Sequence, residues 1–198
     1  ISRKFKRDNG LNYNANQIVV STGAKQSLAN VVMSIINNGD EVIIPAPYWV
    51  SYIEIVKVSE GTPVIVNAGI ENDFKITPAQ LEAAITPKTK MMMFSTPCNP
   101  TGSVYSTEEL RGLADVIKKY PNLVVISDEI YEHINYGVTA HASMAEFEDM
   151  SDRPVSVNGV AKAFAMTGHK RRGKGTRRPV IARHFTKHLI NRCALLGT

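Results

Sequence analysis

The sequence predicts an α/β domain built on a doubly wound, mostly parallel sheet. Three observations carry the prediction. Short apolar runs of strand length alternate with amphipathic stretches of helix length. Capping boxes mark helix starts between those runs, and polar residues gather directly after them. With 198 residues and 43% hydrophobic content, the chain can bury one sizeable core.

The first strand is expected over Gln17 to Ser21, followed by a helix after Thr22-Gly23 that stops at Asn38-Gly39-Asp40. Glu41 to Ile44 is the second strand, ended by Pro45 and Pro47, and a helix from about Tyr48 to Val58 follows. Thr62 to Val66 is the third. Thr77-Pro78-Ala79-Gln80 has capping-box spacing with proline at the first helical position, and that helix ends near Thr86-Pro87. Lys90 to Ser95 is a buried strand, Ser106-Thr107-Glu108-Glu109 opens a helix to about Tyr120, and Leu123 to Ser127 is again a buried strand. Pro154 to Asn158 closes the expected series, with no internal repeat.

Composition narrows the function classes. Cys98 and Cys193 show no repeated spacing, so a disulfide framework and a thiolate metal site are not expected; no metal is expected, and a cytoplasmic location is. The opening ISRKFKRDNGLNY has no apolar segment of a signal peptide, and no apolar run is long enough to span a bilayer. A chain beginning at Ile1 is expected to be a fragment. The net charge of +5 is unevenly spread: Lys170 to Thr198 holds nine Lys/Arg and no acid, leaving fourteen against eighteen, a net of −4, before it. The tail lacks a helical period and has one aromatic, Phe185, so nucleic acid is not the expected partner.

In open α/β sheets ligands bind beyond the carboxyl ends of the strands. After the first strand, Ser21-Thr22-Gly23-Ala24-Lys25 turns into a helix N-terminus whose free N–H groups suit a phosphate, though a plain strand-to-helix turn has the same look. After the Lys90 to Ser95 strand, Pro97-Cys98-Asn99-Pro100-Thr101-Gly102 fixes the backbone and leaves the Asn99 amide to donate into the crevice, or simply makes a turn. Asp128 and Tyr131 follow the Leu123 to Ser127 strand; a carboxylate there needs a cation or donors unless it is a helix cap. Lys162, after the Pro154 to Asn158 strand, is flanked by apolar and small residues, as a desolvated amine would be; a surface lysine is the plain alternative.

Together GAKQSL, PYWVSY, PCNPTG, SDEIYEHINY and NGVAKAFAMTG resemble the fold-type-I, class I/II pyridoxal-phosphate aminotransferases, specifically the bacterial and plant aspartate aminotransferase class, over about Ile1 to Gly168. The resemblance implies the large domain of such a transferase, incomplete here, with residues 1–168 as a partial cofactor domain and 169–198 as a divergent basic tail. It implies pyridoxal 5'-phosphate as cofactor and Lys162 as the Schiff-base lysine and proton shuttle. Asp128 would pair with the protonated ring nitrogen, Tyr131 and Asn99 with the ring hydroxyl oxygen, and Trp49 would stack on the ring. Gly23, Ala24 and Lys25 match the phosphate loop. The implied reaction is ping-pong transfer between an L-amino acid, aspartate or glutamate, and a 2-oxo acid, in a homodimer.

The pattern departs from the family after Thr167-Gly168. His169-Lys170 stands where the family has tryptophan and a phosphate-binding arginine, so Lys170 keeps a charge without the bidentate fork. The later strands, the small domain with its substrate-carboxylate arginine, and the N-terminal arm are expected to be missing. An inactive truncated fragment and a lyase on the same cofactor are the alternative readings.

Overall fold

Successive side chains of strand β4, Thr89–Ser95, leave on opposite faces: Met91 and Met93 enter one buried cluster, Met92 and Phe94 another. The computed structural model describes residues 1–137, 139–150, 153–167 and 194–197. The other strands are β1 (Ile18–Ser21), β2 (Glu41–Ala46), β3 (Thr62–Asn67), β5 (Val124–Asp128), β6 (Pro154–Gly159) and β7 (Ala194–Gly197). They form one sheet in the order β1-β7-β6-β5-β4-β2-β3, with every neighbouring pair parallel.

The helices follow from the winding direction. From β1 through α2 (Ala24–Ile35) to β2, and from β2 through α3 (Ser51–Val58) to β3, the chain moves one way across the sheet. It then reverses, through α4 (Pro78–Ala84) to β4 and through α5 (Thr107–Lys118) to β5. Because parallel crossovers are right-handed, reversing direction moves the helices to the other face. Accordingly, Leu28, Val31, Val32, Tyr52 and Val56 pack with Val42, Ile44 and Ile126 on one side. Leu81, Leu110, Leu113 and Ile117 pack with Ile43 and Val125 on the other. Each such fully buried side chain contributes roughly 1.5–3 kcal/mol of transfer free energy.

Both expected capping boxes form. Thr77 Oγ1 accepts from Gln80 N at 3.2 Å while Gln80 Oε1 accepts from Thr77 N at 2.9 Å; Ser106 and Glu109 repeat the exchange. At the far end of α5, the Arg153 guanidinium donates to the Ile117 and Tyr120 carbonyls at 2.6 and 3.1 Å, a second donor for carbonyls that also accept backbone N–H groups at the helix end.

Two expectations are corrected, and one helix is added for which the sequence carried no expectation. Strand β2 runs through Pro45 to Ala46 rather than ending at Ile44; pairing with β4 stops at Ile43, so the proline lies where β3 alone is the partner. The charged opening forms α1 (Ser2–Asn9), whose Phe5 is fully buried and whose end is Gly10, at φ 69°, a conformation that favours glycine. Pro154 to Asn158 does not close the series, because Ala194–Gly197 inserts between β1 and β6, in register with Ile18–Ser21 and Ser156–Gly159. Among the described residues no helix is long and apolar enough to cross a membrane.

Ser106→Ala removes an N-cap acceptor from α5, which packs beside α4 on one face of the sheet. Denaturant unfolding is expected to show a loss of about 1 kcal/mol at unchanged slope.

Candidate active site

All the strands point their carboxyl ends to one edge, and a cavity of about 180 Å³ opens there. Its lining joins α2 (Ala24, Lys25), the start of α3 (Trp49, Tyr52), the end of β4 (Ser95, Asn99), the end of β5 (Asp128, Ile130, Tyr131) and the turn after β6 (Ala161, Lys162). Seven residues singled out from sequence therefore meet around one space: Ala24, Lys25, Trp49, Asn99, Asp128, Tyr131 and Lys162. Gly23 stands just outside the lining as the N-cap of α2, and its φ of 99° and ψ of 153° belong to a region open to glycine. Lys170 lies outside the described residues.

Asp128 is the electrostatic centre. It is 4% exposed, its Oδ2 accepts from the Tyr52 hydroxyl at 2.8 Å, and its Oδ1 accepts from the Ile130 N–H at 3.3 Å. Burial pushes its carboxyl up to about 6, with the Tyr52 and Ile130 donors and the Lys162 charge pulling the other way. No cation bonds to it directly among the described residues. The cap role is present only as the bond to Ile130.

Around it, Trp49 and Tyr52 stand edge to face with ring centroids 5.7 Å apart, and the Lys25 ammonium sits 4.8 Å from the Trp49 ring centre. The Asn99 backbone N–H donates to Ser95 Oγ at 3.3 Å, tying the proline-bounded turn to β4. The Lys162 ammonium lies 5.6 Å from the Tyr131 ring centre. Of the two readings open for Lys162, a desolvated amine or a surface lysine, the structure shows an exposed side chain at the cavity wall, on a turn it shares with Phe164, itself 56% exposed. A broader groove of about 670 Å³ adjoins the cavity, shares Asn99 and Tyr131, and continues along Asp73, Asn135 and Tyr136.

Sequence reasoning assigned no role to Tyr52 or to the polar joint behind the cavity. Asp128 and Tyr131 face the cavity, whereas Glu129 and Glu132 are buried. Glu129 accepts from Ser143 Oγ at 2.6 Å and lies 3.5 Å from His141 Nε2. Burial opposes the His141 charge, but Glu129 prevails and raises its pKa. Burial likewise acts to raise the Glu132 carboxyl, and the Lys4 ammonium and Asn9 amide hold it below its usual range. Glu129, Glu132 and His141 bring ligand-type atoms within 4.8 Å of one another, yet Lys4 already provides the cation at Glu132. Spacing gave no hint of this cluster, since Lys4 and Asn9 are remote from the DEIYE segment in sequence and His141 follows it at no ligand-type spacing.

A family model described as aminotransferase class I and II matches residues 1–172. The chain belongs to this family. A probable aspartate/prephenate aminotransferase of Rickettsia bellii is 51% identical over 169 residues, 85% of this chain and 42% of that protein. A bifunctional aspartate aminotransferase and glutamate/aspartate-prephenate aminotransferase of Petunia hybrida is 49% identical over 168 residues, 85% of this chain and 35% of its own length. In three dimensions the chain is similar to aspartate aminotransferase from Rhizobium meliloti, with TM-score 0.83, 43% identity, and coverage of 84% of this chain and 42% of that one. This aminotransferase-family chain thus spans about two fifths of the length of the relatives it matches. The α/β fold with its parallel sheet is the one expected.

The raised Asp128 carboxyl has a defined sign in stability. A carboxyl whose folded pKa exceeds its unfolded value stabilises fully below the unfolded value, and that contribution is lost as pH rises through about 6. Asp128→Asn removes this loss. Without ligand, the variant is expected to gain about 1–3 kcal/mol over the parent between acid and about pH 7.5, read from denaturant unfolding at each pH.

Proposed function

We propose that this chain forms the pyridoxal 5'-phosphate site of an aminotransferase acting between an L-amino acid, aspartate or glutamate, and a 2-oxo acid by a ping-pong mechanism. The observation that carries the reading is the convergence of an amine, a buried carboxylate, aromatic faces and a helix N-terminus on one cavity. The aspartate and prephenate activities named for the relatives support the substrate class.

The donor set fits the cofactor. Asp128, buried without a directly bonded cation among the described residues, is suited to a protonated ring nitrogen. Bound there, pyridoxal phosphate supplies a carbonyl that an amine can attack and a ring that accepts electron density released at an amino acid's α-carbon.

Each residue then has a stated task. Lys162 Nζ would be the attachment amine and, when free, the base that holds or returns a proton beside the α-carbon. Asp128 holds a proton on the ring nitrogen by offering it a negative partner in a dry site. Trp49 would cover the ring face, and the amide donors at Gly23, Ala24 and Lys25, at the α2 N-terminus, would meet the phosphate. Tyr131 and Asn99 would hydrogen-bond the ring hydroxyl oxygen, and Lys170 would add charge for the phosphate. The proposal assigns residues 1–168 to the partial cofactor domain, with residues 169–198 as a divergent tail from which Ala194–Gly197 adds a strand. It extends to a cytoplasmic homodimer, supported by the family resemblance and the cysteine usage.

Mixing the chain with pyridoxal phosphate and reducing with borohydride is expected to leave a stable label that Lys162→Ala abolishes, read by peptide mass. A label of equal yield in Lys162→Ala would overturn the lysine assignment.

A further inference from the structure

We propose that Tyr52 is a positioning residue of this site, whose buried hydroxyl holds Asp128 Oδ2 so that the carboxylate stays charged and aimed into the cavity. The inference deepens the cofactor reading above and rests on it for its functional meaning, while the contact itself stands independently. Tyr52 is 1% exposed and lies in the core between α3 and the sheet. Volume alone would be served by phenylalanine; the hydroxyl instead reaches a carboxylate 76 residues away at 2.8 Å.

The direction of the bond is fixed by chemistry. Burial, and then the charge of Asp128, raise the phenol well above its ordinary value, so Tyr52 keeps its proton and acts as donor. A fixed donor favours the ionised form of its acceptor and restricts carboxyl rotation. The competing influences on Asp128 come from every side. Glu129, next on the chain, favours protonation; Lys162, from the turn after β6, favours charge; the Ile130 N–H favours charge at Oδ1. Ser95 from β4 and Cys98 from the following turn act on the Tyr52 hydroxyl itself. Removing that hydroxyl leaves Asp128 one backbone donor against full burial.

Tyr52 also touches the aromatic wall. Its N–H donates to the Trp49 carbonyl at 2.9 Å, and the two rings pack edge to face. One residue therefore links the group that would meet the ring nitrogen with the group that would cover the ring.

The test compares the chain with Tyr52→Phe, which keeps the ring and removes a single oxygen. The carboxyl carbon resonance of Asp128 in a ¹³C-aspartate-labelled sample, identified by its loss in Asp128→Asn, is titrated with pH without cofactor. Tyr52→Phe is expected to bind the Asp128 proton about tenfold more tightly, moving the transition to higher pH. Pyridoxal phosphate affinity is read separately from quenching of Trp49, the single tryptophan of the chain, and is expected to fall several-fold in Tyr52→Phe with the greatest loss on the acid side. An unmoved Asp128 transition would overturn the positioning role. A shifted transition in a chain that fails to bind pyridoxal phosphate would sustain the Tyr52–Asp128 coupling and overturn the cofactor reading instead.

Discussion

A carboxylate carried out of water at the end of a central strand sets the terms for everything around it. Asp128 emerges from β5, with β4 on one side and β6 on the other, and loses its hydration to the same packing that makes the sheet stable. Its position follows from topology: with every strand parallel, all the carboxyl ends reach one edge, and the reversal in winding opens a crevice there. Helices α2 and α3 on one face, and the turns that follow β1, β2, β4, β5 and β6, supply the groups that compensate Asp128 or face it.

The segment from Asp128 to Glu132 joins two polar environments. Asp128 and Tyr131 line the cavity, while Glu129 and Glu132 are anchored by Ser143, His141, Lys4 and Asn9. The inner side of the site is therefore held by ionic and hydrogen-bonded contacts from α1 and from the loop before β6, so that α1 contributes to the cavity without touching it. Lys162 contrasts with this rigidity, since it sits on an exposed turn at the mouth.

Much of this was legible in the sequence. Apolar strand-length runs and two capping boxes located six strands and four helices, the polar residues after the runs located Ala24, Lys25, Asn99, Asp128, Tyr131 and Lys162 of the cavity lining, and the family resemblance added Trp49. The misses have physical causes. Helix α1 contributes only Phe5 as a buried apolar side chain, so its charged sequence shows no helical stripe. Strand β7 is four residues long and follows a stretch without periodic pattern, and its place is decided by pairing with β1 and β6. Tyr52 looks like an ordinary core aromatic until its hydroxyl partner is seen across the fold. Small and apolar neighbours left Lys162 open to two readings, a desolvated amine or a surface lysine, because in a turn such neighbours need not cover the side chain; Phe164, two residues on, is itself exposed.

On the proposed function, the cavity at the carboxyl edge would hold a cofactor between Asp128, Trp49, Lys162 and the α2 N-terminus. A crystal structure of the chain grown with pyridoxal phosphate tests it most directly. The account predicts the ring nitrogen within hydrogen-bond distance of Asp128, the ring against Trp49, the phosphate on the amides at Gly23 to Lys25, and continuous density to Lys162. A cofactor bound elsewhere, or bound here with its ring nitrogen turned away from Asp128, would contradict it.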